Sequence, residues 1–465
     1  MVLVLALIVV IAVAGLGAAL YLQLPTTTTS SAPPPPTLQS SSSASFSGST
    51  SSTSVRNISS SVLTTETSSS NSTASYTNAS TSKSTSTFTS SCAISTSMMS
   101  GSGDSSPPKN TVASLPIQVG IGAPTNPFVY DSQDKLIEVI GGEYGNTLFQ
   151  INAVTNQVLC SIQLSGLYAN GTPYRDATGI TYDSANDQSY VAMHDWILAF
   201  NAKTLQLVSN MTGISYDSGP IVADPYNNIV YVPSCNEANR STPMLIEISG
   251  NNDAVLTNHE IILSAPSNNN YGCSSGQTLF DTYNKLLYTF AANGTASSDY
   301  LFMINTSSSS VVGHLSFSQP GNRFMDYNPN NGDLYLARGA YQEGAGCCHA
   351  FIIPNDNITI FNALQTISSF KANPGNPNST IQYIAYDSQS AKLFVTNGTV
   401  QQFSQPASGL FNGANYTSVS AFNSSSSNAL SSTMTFPSNV GDIFINPVRD
   451  YLYVAEGTHI YVIDL

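Results

Sequence analysis

The sequence predicts an all-β fold: a seven-bladed β-propeller of four-stranded antiparallel blades, preceded by an N-terminal transmembrane helix and a disordered Ser/Thr-rich stalk. Three observations predict it. A hairpin pattern recurs seven times, its spacings leave room for four strands per copy, and charge is distributed unevenly enough to separate three segments.

The hairpin pattern is an apolar strand ending in Asp or Asn, a turn, and a second strand with an aromatic seven residues further on. Its first positions are Asp131, Asp183, Asp224, Asp281, Asn328, Asp387 and Asn446. The partner positions are Glu138, Tyr190, Tyr231, Tyr288, Tyr335, Phe394 and Tyr453, so only the first copy lacks the aromatic ring. Turns such as Asp224-Pro225-Tyr226-Asn227-Asn228 and Asn328-Pro329-Asn330-Asn331-Gly332 have a clear physical basis. An Asx side chain bonds its own backbone, Pro presets φ, and Asn or Gly accepts the left-handed conformation. The copies are 52, 41, 57, 47, 59 and 59 residues apart. No 3.6-residue apolar period accompanies them. The last copy supplies strands at 441–445, 451–455 and 460–465 and then stops. Its missing outer strand is expected from Pro116–Gly120, which would join the two ends of the domain in one blade.

Charge sets the domain organisation. Only 9% of the 465 residues are charged, with 13 Lys+Arg against 27 Asp+Glu and a net charge of −14. An acidic chain this poor in bases repels phosphate backbones, which excludes a nucleic-acid partner. Residues 1–24 are uncharged and rich in Val, Leu, Ile and Ala. They are long enough to cross a hydrocarbon core of about 30 Å and lack the basic start of a signal peptide. A transmembrane anchor is the reading, with a cleaved signal at Ala12-Val13-Ala14 as the alternative. Residues 25–110 are dominated by Ser and Thr, include the Pro33–Pro36 run, and read as a glycosylated low-complexity stalk. Residues 111–465 hold essentially all the net negative charge and the hairpin repeats. These segments together place the protein in the cell membrane with a single pass and the C-terminal domain outside.

Asn228-Ile229-Val230-Tyr231-Val232-Pro233-Ser234, Leu393-Phe394-Val395-Thr396-Asn397-Gly398 and Asp450-Tyr451-Leu452-Tyr453-Val454-Ala455 resemble the YVTN-type β-propeller repeats. Those repeats are known from surface-layer and cell-surface proteins, especially of archaea. The resemblance spans roughly 115–465 and implies an extracellular binding or coat protein with no catalytic residues to carry over.

Six cysteines suit an oxidising compartment. Cys235 ends a second strand and Cys273 precedes the first strand of the next copy. Both fall at the same end of adjacent blades, and a Cys235–Cys273 disulfide is expected. The partners of Cys92, Cys160, Cys347 and Cys348 stay open. Gly346-Cys347-Cys348-His349 lacks the spacing of haem attachment, and the other histidines are scattered, so no metal and no cofactor are assigned. Thirteen Asn-x-Ser/Thr sequons are candidate N-glycan acceptors: Asn57, Asn71, Asn78, Asn170, Asn210, Asn239, Asn293, Asn305, Asn357, Asn378, Asn397, Asn415 and Asn423.

For a binding site, the connections entering the innermost strands carry the best polar candidates: Tyr174, Arg175, Asp176, Asp217, Tyr271, Arg323 and Asp442. Arg and Asp can fix a carboxylate or a sugar hydroxyl, and Tyr can stack on a sugar face. No nucleophile elbow, phosphate loop or metalloprotease motif occurs. The expectation is therefore a membrane-tethered surface propeller for adhesion or coat formation, binding glycans or proteins without catalysis. The alternative is an extracellular enzyme of lactonase or quinoprotein type with its site at the channel mouth.

Overall fold

In every repeat the Asp or Asn is the last residue of a strand or directly follows it, and the hairpin it opens is the seed of a blade. The computed structural model describes residues 107–465 apart from 120–125, 143–144, 165–176, 194–195, 213, 215–219, 236–242, 257–259, 264–274, 293–298, 318–322, 344–350, 363–364, 401–413 and 426. The anchor and stalk segments lie outside the described residues. Among the described residues no helix is long and apolar enough to cross a membrane.

The strands are β1 (Thr111–Leu115), β2 (Phe128–Asp131), β3 (Leu136–Gly141), β4 (Thr147–Asn152) and β5 (Gln157–Gln163). Next come β6 (Ala177–Asp183), β7 (Gln188–Met193), β8 (Trp196–Asn201) and β9 (Leu207–Thr212). The third blade holds β10 (Val222–Asp224), β11 (Ile229–Cys235), β12 (Pro243–Ser249), β13 (Ala254–Val255) and β14 (Ile261–Ile262). The fourth has β15 (Ser275–Asp281), β16 (Leu286–Ala292), β17 (Asp299–Asn305) and β18 (Ser310–Phe317). The fifth has β19 (Arg323–Tyr327), β20 (Asp333–Arg338), β23 (Asn357–Asn362) and β24 (Gln365–Lys371), with a small hairpin of β21 (Tyr341–Glu343) and β22 (Phe351–Ile353) inserted in its centre. The sixth has β25 (Ser379–Asp387), β26 (Lys392–Val400), β27 (Ala414–Asn423) and β28 (Ala429–Thr435). The last comprises β29 (Val440–Asn446), β30 (Tyr451–Glu456) and β31 (His459–Asp464).

These strands form seven antiparallel blades, each a meander of neighbouring strands. In the third blade the outermost strand is split, with β13 and β14 pairing opposite ends of β12. First strands of successive blades lie against one another in the order β2, β6, β10, β15, β19, β25, β29, which makes them the innermost of the ring. Middle strands are buried on both faces, as in β3 and β12, because a blade is sandwiched between its neighbours. Outer strands such as β24 and β28 are mostly exposed.

Ring closure follows the expected principle with a different segment. The outer strand of the last blade is β1, Thr111–Leu115, paired antiparallel with β31. Pro116–Gly120, the segment expected in that place, follows it. Pro116 has no N–H for a ladder. Ile117 and Val119 are instead buried in the core shared by the last and first blades, and the Gln118 carbonyl accepts the Gly142 N–H at 2.7 Å. The stacked rings of Phe128 and Phe444, 5.5 Å apart, join β2 to β29 across the same seam.

The repeated residues explain themselves in local terms. Asp131 Oδ1 accepts the Gln133 and Asp134 N–H groups at 2.8 and 3.1 Å, and Asp281 Oδ1 accepts those of Tyr283 and Asn284 at 2.9 and 3.2 Å. Asn446 Oδ1 holds the Val448 N–H at 2.9 Å. Four residues after each Asx the chain takes a left-handed turn, at Lys135, Asp187, Asn228, Lys285, Gly332, Ala391 and Asp450, with φ between 52° and 73°. This ends a four-residue hairpin loop. A second series of Asx turns joins third to outer strands: Asn152 Oδ1 accepts the Val154 N–H at 2.9 Å, and Asn305 Oδ1 the Ser307 N–H at 3.0 Å.

The residues seven positions on do more than fill space. All are buried in second strands, and several bond to the next blade's outer hairpin turn. The Tyr190 hydroxyl donates to Asp253 Oδ1 at 2.9 Å, and the Tyr453 hydroxyl to Asn156 Oδ1 at 2.5 Å. Side chains of the inner turns also bridge several seams. Asn186 Nδ2 donates to the Gly250 carbonyl at 2.7 Å, Gln389 Nε2 to the Pro447 carbonyl at 2.6 Å, and Asn446 Nδ2 to the Ala153 carbonyl at 2.7 Å. One rim of the ring, the turn rim, is thus a belt of inter-blade hydrogen bonds.

Candidate functional site

The opposite rim is where connections enter the innermost strands. There the register between first and second strands slips at four blades: Ala177/Gly179, Ser275/Thr278, Ile381/Ile384 and Val440/Ile443. A bulge of this kind re-aims side chains at the end of a strand. In β25 and β29 it brings Tyr383 and Asp442 to adjacent inner strands.

Asp442 is 8% exposed, and its Oδ1 accepts the Ile443 N–H at 2.8 Å. Burial pushes its carboxyl well above the usual carboxylate range, so it holds its proton to higher pH and can donate as well as accept. Tyr383 is held above the ordinary phenol range, first by burial and then by the Asp442 charge and Tyr416. Its ring packs on Phe324 at 4.7 Å, and its N–H donates to Thr396 Oγ1 at 2.6 Å. Tyr416 is raised by burial against a hydrogen bond with Thr380, and its N–H donates to Asn439 Oδ1 at 2.6 Å. Gly398 makes room for that ring: a Cβ there would sit 2.6 Å from Tyr416 Cδ1 and 2.7 Å from the Asn415 carbonyl oxygen.

Arg338 ends β20 on the same rim, partly buried, with a buried Nε that has no hydrogen-bond partner. Burial lowers its pKa. The chain just beyond it is tied to the sixth blade by Ala340 N–H donating to Thr380 Oγ1 at 2.8 Å. Blades five to seven therefore carry a guanidinium, two phenols and a carboxyl whose pKa burial raises.

Of the sequence-derived candidates, Asp442 is in this group. Arg323 opens β19 with its backbone opposite Arg338; its side chain is outside the description. Tyr174, Arg175, Asp176, Asp217 and Tyr271 lie outside the described residues. The sequence reading missed Tyr383, Tyr416 and Arg338. Their positions inside strands look like core; the bulges beside Tyr383 and Tyr416 have no sequence mark beyond Gly398, and Arg338 ends a strand of regular register.

Cys235 ends β11 opposite Pro243, with its side chain outside the description, and Cys273 lies outside it altogether. Cys160 is disulfide-bonded. His314 packs on the rings of Tyr300 and Phe302 in the fourth blade, and His459 shares a hydrogen bond with Thr458 in the last. Among the sequons, Asn378 and Asn415 are exposed, while Asn210, Asn305, Asn357 and Asn423 are partly buried. Asn397 departs from the expectation of a surface acceptor. It is 7% exposed, and its amide donates to Ser420 Oγ at 2.6 Å, because the pleat turns this strand residue inward. Asn57, Asn71, Asn78, Asn170, Asn239 and Asn293 lie outside the described residues.

No protein-family model matches the chain, and no curated protein matches it. Solved structures do. Kuenenia stuttgartiensis hydrazine synthase is 12% identical with a TM-score of 0.55, covering 76% of this chain and 96% of that one. The β-propeller domain of Myceliophteria thermophila Cps50 (Swd1) is 11% identical with a TM-score of 0.52, covering 77% of this chain and 99% of that one. At such identities the likeness shows the fold alone.

Proposed function

We infer that this chain is a membrane-tethered extracellular propeller of YVTN type, which binds glycans or surface proteins and performs no catalysis. The observation that carries the reading is the cluster of Tyr383, Tyr416 and Asp442 at the loop rim, with Arg338 ending a strand on the same rim. Two phenols, an acid and a guanidinium offer hydrogen bonds of the kind that recognise sugar hydroxyls. Tyr383 and Asp442 stand on inner strands, Arg338 on a second strand and Tyr416 on a third. The uncharged first 24 residues and the Ser/Thr-rich stalk support a surface address for it. Hydrazine synthase is an enzyme in name, but a shared fold brings none of its chemistry here.

The test is a glycan and surface-protein binding screen with the purified chain, run beside Asp442→Asn and Arg338→Gln. Binding by the native chain that falls at least tenfold in Arg338→Gln supports the reading. Binding untouched by both substitutions places recognition elsewhere, and turnover of a lactone or a redox dye replaces it with the enzymatic alternative.

A further inference from the structure

The seam between the first and second blades carries an acid where the other six carry a ring. At the position where other blades carry an aromatic ring, the first has Glu138. At the left-handed turn position where later blades offer Asp253 or Ser309, the second blade has Leu205. Glu138 is fully buried, yet neither carboxylate oxygen has a hydrogen-bond partner. The Ser189 hydroxyl bears on it from β7 and works against the effect of burial. Burial pushes the Glu138 carboxyl up to about 8, and the charges of Asp131 and Asp187 add to the effect.

Those same two residues belong to a cluster on the turn rim. One carboxylate oxygen each from Asp131, Asp134 and Asp187 lies within 4.8 Å of the others. A cation with oxygen bonds of about 2.4 Å spans such a triangle. Asp131 is fully buried; its Oδ1 serves the turn, while its Oδ2 is buried without a hydrogen-bond partner. Asp187 accepts the Tyr182 hydroxyl at 3.1 Å, and Lys203 Nζ lies 2.7 Å from Asp134 Oδ1. That lysine is 64% exposed, and a surface pair of this sort is easily displaced.

The geometry points to a binding site for a hard divalent cation of the calcium class at the seam of the first two blades, with Asp131, Asp134 and Asp187 as ligands and the Glu138 carboxylate behind them. All-oxygen donors from two hairpins select such an ion over a thiolate- or imidazole-seeking one. Bound there, it clasps the two blades at a seam without a bond of the kind that Tyr190 and Tyr453 make. The sequence shows no metal motif because the ligands come from separate repeats.

The test uses the full chain stripped with chelator and followed by thermal unfolding and by equilibrium dialysis against calcium chloride. Ten millimolar calcium raises the unfolding midpoint by a few degrees, and sodium chloride of equal ionic strength does not. Dialysis finds one ion per chain. The Asp134→Asn/Asp187→Asn double variant, changed only at partly exposed positions, loses both the shift and the ion, and Glu138→Gln weakens binding severalfold. A native chain with no shift and no bound ion overturns the site. So does a shift of equal size in the double variant or in sodium chloride. Unchanged affinity in Glu138→Gln overturns the part given to the buried carboxylate.

Discussion

The two rims of this ring are built by different rules. On the turn rim each blade repeats one device: an Asx residue caps a four-residue turn, a left-handed residue closes it, and side chains reach the next blade. On the loop rim the connections vary in length, one blade carries an extra hairpin, and the bulged strand ends present different residues in each blade. Uniformity on one side frees the other to vary, because the inter-blade bonds at the turns hold the ring whatever the loops carry. The contrast predicts that substitutions on the turn rim act on stability and those on the loop rim act on binding.

The largest effect is expected from Tyr453→Ala. It removes a fully buried ring and the hydroxyl bond to Asn156 across the closing seam, and a cost of about 3–5 kcal/mol is expected in denaturant unfolding. Asn446→Ala keeps the core but deletes both the cap on Val448 and the bond to the Ala153 carbonyl. About 1–3 kcal/mol should be lost in the same measurement. Equal stability in either variant would mean that the turn belt does not hold the ring.

A third comparison sets two inner-strand clasps side by side. Thr181 Oγ1 accepts the Ala223 N–H at 2.9 Å, and Asp326 Oδ2 accepts the Tyr386 N–H at 2.6 Å in the corresponding place. Burial pushes the Asp326 carboxyl up from 3.8 to about 6, and its two backbone bonds oppose that rise. Its folded value lies above its unfolded one, so the native state binds the proton more tightly. Between about pH 4 and pH 6 this group therefore lowers stability as pH rises, and above that window its penalty is constant. Asp326→Asn should flatten that part of the stability profile, and an unchanged slope would remove Asp326 as its source.

The left-handed residues permit a finer test with opposite signs. Gly332→Ala strains a φ of 73° and drives the new methyl into the Asn284 amide, for a loss of about 1–2 kcal/mol. Ala391→Gly relieves a left-handed alanine at φ 52° and should gain up to about 1 kcal/mol. The smallest effect belongs to the loop rim. Arg338→Gln removes a partly buried guanidinium whose Nε is unpaired, and its midpoint should move by less than about 0.5 kcal/mol while ligand capture falls.

How much was legible in advance depends on how far each signal reaches along the chain. The hairpins were visible because an Asx turn is settled within five residues, as at Asp281 with Tyr283 and Asn284. A companion signal of the same kind was overlooked at Asn152 and Asn305, which cap the outer hairpins. Closure of the ring within one blade was also legible, yet the closing strand was placed at Pro116–Gly120 rather than Thr111–Leu115. Both stretches alternate apolar residues, and only pairing with β31 distinguishes them. The candidate site was legible at Asp442 alone, since Tyr383, Tyr416 and Arg338 carry no local mark of their orientation.

By itself, then, the sequence determined the blade: where its first hairpin turns, how many strands each copy has room for, and how many copies follow one another. Those features rest on backbone conformations and side-chain alternation that neighbours in sequence enforce. The tertiary structure decided what each blade does to the next. The hydroxyl of Tyr190 finds Asp253, the Asn446 amide finds Ala153, and Glu138 comes to lie beside Ser189 in the field of Asp131 and Asp187. Partners that lie a whole repeat or a whole ring away meet only once the ring has closed.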